Sequence, residues 1–538
     1  MPAPNLFVND VDPHRRYDAL VIGAGLTGAW AAKELSEAGL DVLVLDAGPR
    51  LAPDEVSEVD PRTSARRREA ARRQPVQSQT AAYWTLPPHL FVDDFDHPYA
   101  VVANSPFAWI RGRQIGGRSF AWGGVTLRMS DYEFADPDRD GIGPRWPIRH
   151  ADLAPHYETI ERTLAVSGAA DGLPQLPDGM FLPPAPFTAV EQTFKDAVET
   201  RWPERHVIHC RGISPDGGQA ADADVRWAAR SALHRVLPAA LVTGKVAIRP
   251  DAVVSHLLVD TNTALVTGAA GVDRLTKDPF EARARIVVLC ASTIESVRLL
   301  LNSRSRQHPT GIGNSSGLLG RGLVDHLAVR VWGSVESDLR GQAPAPLGGP
   351  HAISIPRFRN LDDRDRRSFV RGYGIWGGLD RQAAVDGGTD ESAWLLTALL
   401  EVLPRDENRI EIDEGLTDAW GIKAVRIRLG YGDNEWKMAE DAGAALLEMA
   451  AAAKLPVRHR SMSGPGAYVH ELGGARMGAD SASSVLNAFN QCWDAKNLFV
   501  VDGSSFPTAG WQNPTLTMMA LTVRAAGFIV DAARRGEL

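Results

Sequence analysis

The chain has 538 residues, 44% apolar and 23% charged, which is ordinary for a globular protein but more than one hydrophobic core usually organises, so two domains are expected. A net charge of −8 without a basic face leaves no electrostatic footprint for nucleic acid. Three scattered cysteines, Cys210, Cys290 and Cys492, lack metal-ligand spacing and read as buried small hydrophobes in a reducing compartment, and no metal site is expected.

Met1 to Arg16 holds no apolar run fit for a signal peptide, and no eighteen uninterrupted apolar residues occur. A cytoplasmic location without a membrane partner is therefore expected. Tyr17 to Ile22 reads as a short buried strand. Glycines follow, then a helix-period stretch from Leu26 to Ala38, Gly39 as its C-terminal signal, and a second strand from Asp41 to Leu45. This β-α-β unit implies a parallel sheet. From Pro49 to about Ala103 the pattern dissolves into a long surface excursion, in which Arg66-Arg67-Arg68 and Arg72-Arg73 read as the solvated face of a short helix.

Glycines return from Gly112 to Gly124, helical spacing resumes at Leu153 to Leu164, and Pro174 to Pro186 reads as a crossing between domains. Val253 to Val259 and Ile286 to Leu289 are expected strands, and Ser292 to Leu301 a helix. From about Val331 to Val457 charged and aromatic residues alternate in strand-like runs. Gly341 to Gly349 within that stretch is expected to be a mobile loop, either gating a pocket or simply a surface excursion. Asn497 to Ser504 reads as a strand ending in an Asp-Gly turn, and a last helix runs from Asn513-Pro514 to about Arg534. The expected class is α/β (α+β overall), with a discontinuous Rossmann-like unit of residues 1–150, 205–330 and 465–538. Residues 151–204 and 331–464 would form a sheet-and-helix substrate-binding unit.

Gly23-Ala24-Gly25-Leu26-Thr27-Gly28 fits G-x-G-x-x-G: the chain must turn tightly, approach a pyrophosphate closely, and pack helix on strand without a Cβ. The helix that follows offers unpaired N–H groups to phosphate. Asp46, at the second strand's tip, suits a ribose diol and argues against a 2′-phosphate; it does not separate FAD from NAD. Asn513 before Pro514 reads as a helix N-cap at the mouth of the helix dipole, which stabilises nearby negative charge by roughly 0.3–2 kcal/mol. His470 is suited to accept a hydroxyl proton at neutral pH, although a lone histidine is more often structural.

Together these pieces resemble the glucose-methanol-choline (GMC) oxidoreductases. The matching segments are the Gly23 to Gly28 cradle, Ile115 to Gly124, Cys290 to Ser296, Asp325-His326, and His470 to Thr517, spread over nearly the whole chain in the family's order. In that family a histidine and, about 43 residues later, a histidine or asparagine line the reacting face of the flavin, and Asn513 stands 43 residues after His470. The resemblance implies His470 as general base and Asn513 as the group that holds the substrate oxygen. It also implies FAD contacts from Gly23, Gly25, Gly28, Asp46, Gly117, Ser119, Trp122, Gly123, Val254, Ala291, Asp502, Gly503, Pro514 and Thr515.

Within the family, His-x-x-Gly-Gly-x-x-Met-Gly and Asn-Pro-Thr-Leu-Thr look most like the branch of pyranose 2-oxidase, glycoside 3-oxidases and the large subunits of gluconate and related sugar dehydrogenases. Pyranose 2-oxidases carry flavin on a histidine where this chain has Ala121, so a non-covalent FAD is expected. The family's ribose-binding acid is usually Glu, one methylene longer than Asp46. The implied activity is oxidation of a secondary ring hydroxyl of a sugar or glycoside at carbon 2 or 3, with oxygen as acceptor, and with Trp376 and Tyr373 as candidate sugar contacts. A dehydrogenase subunit passing electrons to a haem or quinone, or a non-redox flavoprotein lyase, are the alternatives. A homo-oligomer stays open.

Overall fold

The computed structural model describes residues 7–8, 12, 14–52, 55, 64–213, 235–335, 353–381 and 393–538. The expected loop from Gly341 to Gly349 lies outside the described residues. A seven-stranded sheet organises the nucleotide-binding part. The strand Arg16–Ile22 lies between Val42–Leu45 and the long strand Pro279–Leu289, parallel to both, and Val246–Arg249 and Leu498–Val500 extend the parallel run. These strands carry fully buried Val, Leu and Ile on both faces, as a parallel sheet covered on both sides requires. Ala252–Val259 and Val266–Asp273 form an antiparallel hairpin that joins the outer end of Pro279–Leu289. Only the first of these two strands is expected from sequence.

Helix Leu26–Glu37 packs against the C-terminal helix Thr515–Arg534, and His150–Leu164 packs on that helix in turn. Thr515–Arg534 is long and apolar enough to cross a membrane by length and composition, but 67% of its apolar window is buried in this packing, which accounts for its composition. The expected grouping of residues 151–204 is corrected at its start: Tyr157 meets Thr517 Oγ1 at 2.8 Å, so the first helix of that range sits with the nucleotide-binding part.

A second, six-stranded antiparallel sheet comprises Ile208–His209, Leu327–Ser334, Ile353–Ile355, Tyr373–Arg381, Ala393–Leu400 and His459–Met462. Residues from 205 were expected with the first unit, but Ile208 and His209 pair with Ser354 and Ile353. The 20-residue helix Asp433–Ala452 covers this sheet, where strand-like runs were expected. Its apolar positions, Met438, Ala442, Leu446 and Met449, recur at helical spacing.

Two further corrections concern residues 49–103. Tyr83, Leu86, Leu90 and Phe91 bury together with Ile110 and Phe120 in a small separate core, so this stretch is not merely a surface excursion. Arg67, expected on a solvated face, is buried and donates to the Trp84 carbonyl. Cys210, Cys290 and Cys492 are free and buried, as read from the sequence. Buried ion pairs tie helix Asp131–Asp140 to the second sheet: Arg357 Nη1 to Asp136 at 2.6 Å, and Arg371 to Asp140 at 2.5 Å and to Glu401 at 3.1 Å. Removing one partner would strand a buried charge, so these pairs hold the helix against the second sheet.

Candidate active site

A cleft of about 450 Å³ runs from the tip of strand Val42–Leu45 to the start of the C-terminal helix. Gly23 and Gly28 make its inner end possible. Gly23 has φ +102, and a Cβ there would meet the Cys290 carbonyl oxygen at 2.4 Å; a Cβ on Gly28 would meet the Gly23 oxygen at 1.8 Å. Gly25 differs: a Cβ there meets nothing within 4 Å, because it would project into the cleft. A cradle that a methyl group would fill, at a helix N-terminus with free N–H groups, fits a pyrophosphate.

Asp46 lies at this end with both oxygens engaged, Oδ2 accepting from Ala24 N at 2.8 Å and Oδ1 from Gly48 N at 2.9 Å. Its first task is to tie the glycine turn to the second strand. Each oxygen keeps a second lone pair for a ribose hydroxyl. Burial pushes its pKa up, opposed by those backbone donors. The Gly112 to Gly124 segment docks over the cradle through Gly116 N to Ala24 O at 3.0 Å and Ile115 N to Pro49 O at 3.0 Å. It brings Gly117, Ser119, Trp122 and Gly123 to the cleft wall, where Val254, Ala291, Asp502, Gly503, Pro514 and Thr515 also lie. Gly28 is the one expected cofactor residue behind the wall rather than on it.

A charged group near Asp46 and Val254 is absent from the sequence reading. Arg113 pairs with Glu295 at 3.0 Å, and Glu295 with Arg298 at 3.3 Å. Burial would raise the Glu295 carboxyl, but Arg113, Arg298 and Arg111 overcome it and hold it at about 2. Arg113 Nη1 and Gln114 Oε1 are buried with no partner among the described residues, so a donor and an acceptor are left for a bound ligand.

At the far end His470 follows Val469, whose φ of +60 is strained for a β-branched residue. The bridge between Val324 and Leu472 then lays Asp325-His326 beside it. His326 Nδ1 lies 2.8 Å from His470 Nδ1, and His326 Nε2 lies 2.8 Å from the Gly510 carbonyl. Asn513 Nδ2 stands 3.5 Å from His470 Nε2, and Asn513 Oδ1 is buried with no partner among the described residues. Burial, reinforced by His326 and Arg118, holds the His470 pKa well below its usual 6.5. Burial lowers His326 to about 4.

The expectation that Asn513 caps the last helix is corrected. Pro514 is the N-cap, with its carbonyl accepting from Met518 N at 2.9 Å, and the Asn513 side chain turns to His470 instead. Tyr373 is also corrected as a sugar contact: it is buried away from the cleft and its hydroxyl donates to Asp441 at 2.5 Å. Trp376 does line the cleft. Three residues apart on one strand, the two side chains must leave on opposite faces. Across the sheet Ser461 pairs with Arg330, Arg330 with Thr397, and Thr397 with Trp376. Of this row Arg330 and Trp376 line the cleft, with Tyr468 beneath the Arg330 guanidinium at 5.2 Å. The arrangement can hold a hydroxylated molecule against a neutral imidazole and an amide while polar and aromatic groups grip the rest.

Residues 404–522 match the family model described as GMC oxidoreductase, and residues 18–58 that described as FAD dependent oxidoreductase. The 2-methyl-1,2-propanediol dehydrogenase of Mycolicibacterium austroafricanum is 28% identical over 95% of both chains. The 6'''-hydroxyparomomycin C oxidase of Streptomyces lividus is 29% identical over 96% of this chain and 92% of its own. The fructose dehydrogenase large subunit of Gluconobacter japonicus is 26% identical over 96% and 98%. In fold, the chain is similar to a solved formate oxidase of Aspergillus oryzae RIB40, with a TM-score of 0.68 at 14% identity over 98% of this chain and 100% of that one.

Proposed function

We propose that this chain, similar over nearly its whole length to FAD-dependent glucose-methanol-choline oxidoreductases acting on CH–OH groups, oxidises a secondary ring hydroxyl of a sugar or glycoside to the ketone. The observation that carries this reading is the placement of His470 Nε2 and Asn513 Nδ2 side by side, 3.5 Å apart, at the end of a cleft whose other end is the glycine cradle.

When bound, the flavin supplies the two-electron acceptor for the hydride that leaves the alcohol carbon. His470 takes the hydroxyl proton, because a hydride can leave as the carbonyl forms only if that proton departs as well. Asn513 Nδ2 donates to the substrate oxygen and holds it beside the base. The N-terminus of helix Thr515–Arg534 lies at the same place, and its partial positive charge favours negative charge developing there. Arg330 and Trp376, which both line the cleft, hold the remainder of the substrate, the ring of Trp376 by stacking on a sugar face. Asp46, Gly117, Ser119, Trp122, Gly123, Val254, Ala291, Asp502 and Gly503 hold FAD, without a covalent bond, since Ala121 offers no nucleophile at the cleft.

Carbon 2 or 3 is the proposed position and oxygen the proposed acceptor. A dehydrogenase passing electrons to a partner is the second reading, favoured by the likeness to the fructose dehydrogenase large subunit. Incubating the enzyme with monosaccharides and glycosides in air, and then without air with a dye, separates the two. Keto-sugar with equimolar peroxide supports the oxidase. Dye reduction with little peroxide supports the dehydrogenase. No oxidation of any sugar, but turnover of simple diols, would overturn the sugar reading.

A further inference from the structure

The paired imidazoles of His326 and His470, both neutral, allow one arrangement of hydrogens. The Gly510 carbonyl can only accept, so the His326 Nε2 that faces it at 2.8 Å carries a hydrogen. A neutral His326 then has none on Nδ1, which becomes an acceptor. His470 Nδ1, 2.8 Å away, must therefore donate to it. A neutral His470 keeps its only ring hydrogen there, and its Nε2 is left with a bare lone pair. That nitrogen is the one beside Asn513, in the cleft.

The geometry points to His326 as a positioning residue: anchored on the Gly510 carbonyl, it fixes His470 in the tautomer whose basic nitrogen faces the substrate. This rests on the reading of His470 as the base. Without an acceptor at residue 326, His470 is free to carry its hydrogen on Nε2, and the lone pair turns away from the hydroxyl. The same bonds serve after the proton has moved, because an imidazolium still donates from Nδ1 to His326 while Nε2–H points at the substrate oxygen.

The surroundings offer no competing partner. Arg118 is engaged by Glu471 at 2.8 Å, Asp325 receives backbone N–H groups, and Tyr468 presents its ring 5.4 Å from that of His470. Among the described residues, the ring nitrogens of His470 have hydrogen bonds only with His326 and Asn513. Burial keeps His326 neutral, at about 4, so it remains an acceptor at working pH.

The test uses the FAD-loaded enzyme with 15N-labelled histidine. The His470 signals, identified by their loss in His470→Gln, should show a hydrogen on Nδ1 and none on Nε2. His326→Asn keeps an oxygen where Nδ1 stands and should keep that signature, with anaerobic flavin reduction within about threefold of wild type. His326→Leu, of similar bulk but with no acceptor, should move the hydrogen to Nε2 and slow reduction by about tenfold to a thousandfold, leaving substrate affinity unchanged. A wild-type His470 with its hydrogen on Nε2 would overturn the proposal, whether or not the leucine variant folds. So would an asparagine variant more than about tenfold slow, or a leucine variant as fast as the asparagine one. If His470→Gln reduces its flavin at the wild-type rate, the base assignment fails instead, which the 15N signature does not depend on.

Discussion

The Asp325 carboxyl accepts the backbone N–H of His470 at 2.9 Å and that of His326 at 2.8 Å, so one buried group sets the height of both imidazoles. Burial, with Glu471 nearby, pushes its pKa from 3.8 to about 7. The folded chain therefore holds this proton up to about pH 7, whereas the unfolded chain releases it near 3.8. Between those values the folded state binds more protons, so this group's contribution to stability is greatest at low pH and falls as pH rises, by about 1.4 kcal/mol per unit. Thermal unfolding of Asp325→Asn between pH 4 and 7 should decline less with rising pH than wild type. Parallel curves would contradict this.

His470 is neutral throughout the physiological range, since burial holds it well below 6.5. Anaerobic flavin reduction should then be flat from pH 8 down to 6.5, with its acid limb below. His470→Ala should slow the step by about 10²- to 10⁴-fold while FAD stays bound. Stopped-flow absorbance with the variant and across pH measures both.

Gly25 and Gly28 should fail differently when changed to alanine. At Gly25 the methyl group enters the cleft, so the fold and melting temperature of the apoprotein survive while FAD affinity falls. At Gly28 the methyl group meets the Gly23 oxygen at 1.8 Å, so the apoprotein itself is destabilised. Calorimetry of apoprotein and titration with FAD distinguish the two.

Asn513→Ala removes no helix cap, because Pro514 occupies that place. Its unfolding free energy should change by less than about 1 kcal/mol, against a loss in flavin-reduction rate of about tenfold or more. A large fall in stability would return Asn513 to a structural role.

Trp376→Ala should raise KM for sugars several-fold, whereas Tyr373→Phe should leave KM unchanged and cost stability through the lost bond to Asp441. Equal effects on KM would contradict the placement of the two faces.

What is legible in the sequence is what is local. The cradle can be read because turn, close approach and helix packing are all imposed within Gly23 to Gly28. The pairing of His470 with Asn513 is not local, and only the family spacing makes it visible. Asp325 and His326 stand in the family motif, but their partnership with His470 spans 144 residues and depends on the Val324–Leu472 bridge, which no periodicity announces. Tyr373 and Trp376 are both aromatic, and composition does not say which face of a strand turns to the cleft. Helix Asp433–Ala452 is hard to see because alanines fill much of its buried side, so apolar and polar faces contrast weakly. The core under residues 49–103 is assembled from apolar residues too sparse to show a period, and two of them, Ile110 and Phe120, come from beyond the stretch.

The most direct measurement is a single anaerobic turnover with a sugar carrying deuterium at the reacting carbon. Purified protein should carry FAD that bleaches on mixing, more slowly with deuterium than with hydrogen, and release a keto-sugar. Protein that stays colourless after incubation with FAD, or a flavin that no alcohol bleaches, would contradict hydride transfer to a flavin between the glycine cradle and His470.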